Sequence, residues 1–208
     1  MKVLVIGAAG KTGQAVVEQT LAAGHQVTAF VRQAATYTQR AGVRVVEGDA
    51  ADRGAMEAAV RGQDAVLDTI GGKTPYKTTT LESSAAHAII AAMRRHGVRR
   101  LVVTSMLGVG DSRANSSLLV RLLVATFLRG ANQDKTAMEE AVKASGLDWV
   151  ILRPAILTDD PAQGNVRVFA AATGETAHKV ARADLAAFML AQLATDEHLQ
   201  QAVTIATS

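Results

Sequence analysis

The chain has 208 residues, 49% of them hydrophobic, with a formal net charge of +3 and no cysteine. That length suits one domain with a full core, and the missing cysteines exclude disulfides, thiolate metal sites and a cysteine nucleophile. Aromatic residues make up only 3%, too few for a nucleic-acid binder that works by base stacking.

The remaining charge and hydropathy signals are modest. Arg94-Arg95 and Arg99-Arg100 flank a helix end, where cations offset the negative dipole. They read as a solvated terminus and not as a nucleic-acid patch. Met1-Lys2 leads straight into strand residues, without a signal-peptide pattern. The apolar run from Leu118 to Leu128 is interrupted by Arg121 and is too short to span a bilayer. A soluble, cytoplasmic protein with no nucleic-acid and no membrane partner is expected.

Strand and helix patterns alternate from the first residues, which predicts an α/β fold with a mainly parallel sheet and helices on both faces. The first strand, Lys2 to Ile6, runs into Gly7-Ala8-Ala9-Gly10-Lys11-Thr12-Gly13, and a helix pattern follows at once to Ala23. A strand, a glycine turn and a helix N-terminus together form an anion site. Free N–H groups and the positive dipole end hold a pyrophosphate without a charged side chain. Gly7 turns the chain out of the strand, Gly10 lets backbone approach phosphate, and Gly13 lets the helix pack on the sheet.

The second strand, Gln26 to Val31, ends at Arg32. An acidic residue at that strand end would accept from a ribose 2′-hydroxyl and favour NAD. None occurs between Gln26 and Arg44. The planar Arg32 cation suits a 2′-phosphate instead, which favours NADP(H). Lys11 offers a second positive charge. A third strand, Val43 to Glu47, ends in Gly48-Asp49-Ala50. Asp49 either receives the adenine amino group or joins Asp52 in capping the helix Arg53 to Val60. The fourth strand, Ala65 to Ile70, ends in Gly71-Gly72, glycines that admit a ligand at a strand C-terminus.

Lys73 to Thr80 reads as a loop, with Tyr76 and Lys77 as lid candidates. A long helix, Leu81 to His96, precedes a fifth strand, Arg100 to Thr104, which ends at Ser105. Ser116 to Arg129 has a wide apolar helical face, read as core packing, with a pocket cover or an interface as the alternative. A break at Gly130 precedes a helix from Gln133 to Ala144. Then come a sixth strand, Asp148 to Leu152, and a short strand, Val166 to Phe169. A helix opens at Ala183, with Asp184 as its cap or dipole partner, and the last strand is Ala202 to Ala206. No repeat or linker divides residues 1–208. Elements around 107–131 and 155–182 are left to shape a substrate pocket.

These residues resemble the short-chain dehydrogenase/reductase superfamily, in its atypical NAD(P)H-binding branch of NmrA-like and biliverdin reductase B/flavin reductase-like proteins. The resemblance is carried by Gly7-x-x-Gly10-x-Thr12-Gly13, Arg32, Gly48-Asp49, Thr104-Ser105, Asp134-Lys135-x-x-x-Glu139, Ser145-Gly146-Leu147-Asp148-Trp149, Arg153-Pro154-Ala155-Ile156-Leu157 and Arg182-x-Asp184-Leu185-Ala186. It implies a Rossmann-like doubly wound sheet carrying NADP(H) across the strand C-termini. Gly7, Ala9, Gly10, Lys11, Thr12 and Gly13 would hold pyrophosphate, Arg32 the 2′-phosphate, and Asp49 and Ala50 the adenine. Thr69, Ile70, Gly71 and Gly72 would line the ribose side. Thr104, Ser105, Pro154, Ala155, Ile156 and Leu157 would surround the nicotinamide.

One departure from that family bears on chemistry. Its typical members reduce carbonyls with a Tyr-x-x-x-Lys pair and a serine. Here Lys135 stands where the lysine is expected, but four residues earlier the chain has Ala131. Ordinary alcohol dehydrogenation or sugar epimerisation is therefore not expected. Hydride transfer to a flavin or quinone needs mainly orientation, because such rings take their proton from water. Ser105 and Lys135 are the candidate catalytic residues for that reaction. The alternative is a non-catalytic, NmrA-like sensor of NADP(H). A monomer or weak homo-oligomer is expected.

Overall fold

A computed structural model of the protein describes residues 1–72, 76–170 and 174–207. The opening residues 73–75 of the expected Lys73 to Thr80 loop, Pro75 among them, lie outside the described residues. Ten strands and six α-helices are found among the described residues. In order they are β1 (Lys2–Ile6), α1 (Lys11–Ala22), β2 (Gln26–Val31), β3 (Val43–Glu47), α2 (Arg53–Val60), β4 (Ala65–Asp68), α3 (Leu81–His96), β5 (Arg100–Thr104), α4 (Leu118–Ala125), α5 (Arg129–Lys143), β6 (Asp148–Pro154), β7 (Ile156–Thr158), β8 (Val166–Phe169), β9 (Lys179–Ala181), α6 (Arg182–Ala191) and β10 (Gln201–Thr207).

Eight strands form one sheet in the order β3-β2-β1-β4-β5-β6-β10-β8. All neighbours are parallel except β8, which runs antiparallel to β10 at the edge. The strand order reverses between β1 and β4, which leaves a crevice at their carboxyl ends. Side-chain alternation divides the core in two. Leu4 and Ile6 of β1 pack with Met56, Ile89 and Met138 under α2, α3 and α5. Val3 and Val5 point the other way, to Val16, Leu185 and Met189 under α1 and α6. Both strand faces are therefore apolar, as a doubly wound sheet requires.

The four arginines at the α3–β5 junction are structural. Arg94 donates to the Ser145 carbonyl at the end of α5, and Arg95 pairs with Glu57. Arg99 pairs with Asp148 and Arg100 with Asp196.

Four sequence expectations change. Gly130 does not break a helix but lies inside the first turn of α5. A Cβ there would stand 2.0 Å from the Lys77 carbonyl oxygen, so glycine is needed for close approach of the loop. The expected helix from Ser116 to Arg129 is shorter, and its apolar face is not packed. Leu118, Leu119, Leu122 and Phe127 are exposed. Asp184 does not cap α6. Its buried carboxylate instead accepts from the N–H groups of Gln163 and Gly164, 20 residues or so earlier, and fixes the loop between β7 and β8. Finally, Ile156–Thr158 and Lys179–Ala181 pair as a small parallel sheet that no alternation pattern revealed.

Candidate active site

The glycine turn is built as its spacing suggests. Gly7 adopts φ +76° at the end of β1, a left-handed conformation that glycine takes without strain. Gly10 N–H closes the turn onto the Gly7 carbonyl at 2.9 Å. A Cβ on Gly13 would fall 2.2 Å from the same oxygen, so α1 meets the turn only because position 13 is bare. No side chain caps α1, and its first turn holds no acidic residue. Its N–H groups therefore keep their capacity for an anion.

Beside this turn lies a cavity of about 340 Å³, within the range of small-molecule sites. Gly7, Ala9, Gly10, Arg32, Asp49, Ala50, Thr69, Ile70 and Gly71 line it, together with Phe30 and Leu81. A recess walled by Arg32, Gln33 and Asp49 adjoins it. Arg32 is exposed there and forms no ion pair among the described residues. Glu47 is turned aside by accepting from the Ala34 N–H at 2.7 Å. Asp52 caps α2 through the Ala55 N–H, whereas Asp49 accepts from Ala51 N–H and stays on the cavity wall.

The other predicted site residues lie outside that cavity. Lys11 is exposed and pairs with Asp159, which also holds Arg182. Thr12 and Gly13 continue α1. Gly72 donates to Glu82 Oε1 at 3.2 Å. Pro154 ends β6, and Ala155 is buried with its N–H on the Ile205 carbonyl. Ile156 is exposed, and Leu157 packs on the α1/α6 core.

Both candidate catalytic groups are buried at the end of β5, and Lys135 is already engaged. Lys135 Nζ donates to the Thr104 carbonyl at 3.0 Å and pairs with Glu82 at 3.1 Å. The Ser105 hydroxyl makes no fully formed hydrogen bond but lies close enough to Glu139 to favour its ionised form. Ala131 stands one helical turn before Lys135 on the same face of α5, so no phenol occupies that place.

Sequence reasoning gave no role to the groups that hold these residues, although Asp134, Glu139 and Arg153 stand in the motifs that carry the family resemblance. Asp68, at the end of β4, is buried, and burial pushes its carboxyl up to about 6 against the pull of the Ile70 N–H and Lys135. Asp134 accepts from the N–H groups of Glu82 and Ser83 and from the Ser83 hydroxyl, all at 3.0 Å or less. It caps α3 from another helix. Burial opposes ionisation of Asp134, but these bonds outweigh it and hold the carboxyl below its ordinary range. Arg153 is wholly buried and grips both Glu139 oxygens at 2.8 and 2.7 Å. Burial of Glu139 is likewise outweighed by Arg153, and its carboxyl is held low. An arginine and an aspartate within apolar strand runs were the available signals, since buried charges need partners.

Fold and site together define a nicotinamide-nucleotide-binding protein of the Rossmann type. The chain belongs to the NAD(P)H-binding family, which it matches over residues 7–196, and this bears out the atypical short-chain dehydrogenase/reductase resemblance. An anaerobilin reductase of Escherichia coli O157:H7, ChuY, is 30% identical with a TM-score of 0.80, over 100% of this chain and 97% of that one. A short-chain dehydrogenase/reductase of Veillonella parvula in complex with NADP superposes with a TM-score of 0.83 over 99% and 94% of the two chains, at 19% identity, a likeness of fold. A 2-alkyl-3-oxoalkanoate reductase of Stenotrophomonas maltophilia is 41% identical over 110 residues, 50% of this chain and 33% of the relative. A chloroplastic protein of Arabidopsis thaliana is 29% identical over 177 residues, 79% of this chain and 62% of the relative. The chain thus spans less than two thirds of these two curated relatives. No described helix is long and apolar enough to cross a membrane.

Proposed function

We propose that this protein is an NADPH-dependent reductase that passes hydride to a conjugated acceptor such as a flavin or quinone. The observation that carries the cofactor preference is Arg32, a guanidinium without an ion pair among the described residues, on the wall shared by the cavity and its adjoining recess. It would pair with a 2′-phosphate in a bidentate way. The uncapped start of α1 would take the pyrophosphate, and Asp49 and Ala50 the adenine. The strand ends at Thr104, Ser105 and Pro154 to Leu157 would flank the nicotinamide.

When bound, the cofactor supplies a hydride. The chain's part is then to hold an acceptor ring against the nicotinamide and to keep water from the face between them. Ala131 makes this the favoured class of reaction, because α5 carries no phenol one turn before Lys135 to protonate a carbonyl oxygen. The named activities of the relatives, reduction of an anaerobilin and of an alkyl-oxoalkanoate, support a reductase over a non-catalytic sensor. The Lys135–Glu82 pair and the Gly72 bond to Glu82 tie the chain after β4 to α3 and α5, so Lys135 would act there by positioning.

Two measurements test the reading. NADPH oxidation should appear with at least one of FMN, FAD, riboflavin or a small quinone; tight NADPH binding without turnover across that panel would instead favour the sensor. Arg32→Ala should weaken NADPH binding by at least about tenfold, as for loss of a charge-assisted pair, and leave NADH binding nearly unchanged. An equal loss for both nucleotides refutes the assignment to the 2′-phosphate.

A further inference from the structure

The face of α4 is open to solvent in a way that a packed domain does not need. Leu118 is 82% exposed, Leu119 75%, Leu122 62% and Phe127 52%. Tyr76, from the loop after β4, is exposed as well and lays its ring 5.7 Å from that of Phe127. Five of these large side chains, with Leu123, form one apolar ridge. Contiguous patches of this size on a folded chain mark an interaction surface.

The charge around the ridge has one sign. Residues 112–133 contain Arg113, Arg121 and Arg129 and no aspartate or glutamate. The Arg121 guanidinium donates to the carbonyls of Arg113, Ala114 and Ser116, which fixes it beside the ridge without neutralising it. Arg113 and Arg129 are exposed. Asp111, the nearest carboxylate along the chain, is bound to Arg153.

We infer that this ridge is a docking surface for an anionic lipid bilayer. Leucine and aromatic side chains on one face with arginine at the flanks are the composition of interfacial helices, which bury the apolar side at the headgroup boundary and set cations among lipid phosphates. A second copy of the chain fits less well. A twofold contact centred on the ridge would set the like-charged flanks of the two copies, Arg113, Arg121 and Arg129 in each, towards one another. Docking of this kind would run against the sequence-based expectation of a chain without a membrane partner. α4 is too short to span a bilayer and suited to lie on one.

The test is co-sedimentation of the full chain with vesicles of phosphatidylcholine alone or mixed with phosphatidylglycerol, at low and high salt. Binding should require phosphatidylglycerol and weaken as salt rises. The double variant Leu119→Glu/Leu122→Glu should bind at least about tenfold more weakly, with an unchanged circular dichroism spectrum and unchanged NADPH affinity, since neither residue lines the cavity. The inference is overturned if the natural chain ignores anionic vesicles, if the variant binds as well as the natural chain, or if sedimentation shows a stable dimer that the variant dissolves.

Discussion

Asp68→Asn removes a carboxyl that the fold keeps from water. In the natural chain Asp68 lies at the end of β4, buried, with Ile70 N–H donating to its Oδ1 at 2.9 Å and Lys135 and Glu82 close enough to act on its charge. Burial is the largest influence and raises its proton affinity, so ionisation falls near pH 6 in place of the ordinary 3.8. A carboxyl shifted by that much costs the folded state on the order of 3 kcal/mol once ionised. The sign follows from linkage. Folded Asp68 holds its proton more tightly than unfolded Asp68, so its stabilising contribution is fully present below the unfolded value and is lost as pH rises through about 6. Asparagine keeps the acceptor for Ile70 and does not ionise. The variant should therefore gain stability over the natural chain as pH rises from about 4 to about 7.5, by up to about 3 kcal/mol, or roughly 2–4 °C in Tm per kcal/mol for a chain of this size. Urea unfolding followed by circular dichroism across that range measures it. A stability difference that does not change with pH refutes the assignment of a buried, proton-retaining Asp68.

The caps and the buried pair give further expectations. Asp134→Ala strips four donors around the start of α3, the Thr79 hydroxyl among them, of their acceptor and should cost about 2 kcal/mol at neutral pH in urea unfolding. Because its carboxyl is held low, the contribution of Asp134 is present above the unfolded value and lost as pH falls through the folded one, so the difference from the natural chain should shrink in acid. Glu139→Gln leaves the buried Arg153 with only the exposed Asp111 as a charge partner and should cost about 3 kcal/mol by the same measurement. A small, pH-independent loss would place that guanidinium in contact with water.

The sequence announced the architecture through apolar runs and glycine spacing. β1, β2, β3, α2, α3 and β5 fall on their expected residues because each strand is a run rich in valine, leucine and isoleucine and each turn is marked by glycine or a cap. The cavity residues from Gly7 to Gly71 were legible for the same reason, since backbone turns and strand ends place them. What was not legible depends on contacts between distant residues. The apolar pattern of Leu118 to Leu128 gives a helix but not what covers it. Gly130 is a glycine because the Lys77 backbone presses on it. Asp184 binds a loop ahead of it in sequence, where a local rule expects a cap. Asp134 serves a helix about fifty residues earlier, and no local motif encodes such a partner.

That cap across the fold has a consequence for the order in which the molecule is made. α3 has no side-chain cap at its own Thr80, and the glycine loop at Gly72 leans on Glu82, which leans on Lys135. The cradle proposed for the cofactor is thus encoded in the first third of the chain but fastened by two adjacent residues from the second half. A nascent chain that has emerged only through β5 holds the glycine turn and Arg32 yet lacks the clasp at positions 134 and 135. Closing it means bringing together residues about fifty apart, a slow non-local step. On the proposed reading, nucleotide capture should begin only when α5 has left the ribosome and docked, well after the glycine turn itself has been translated.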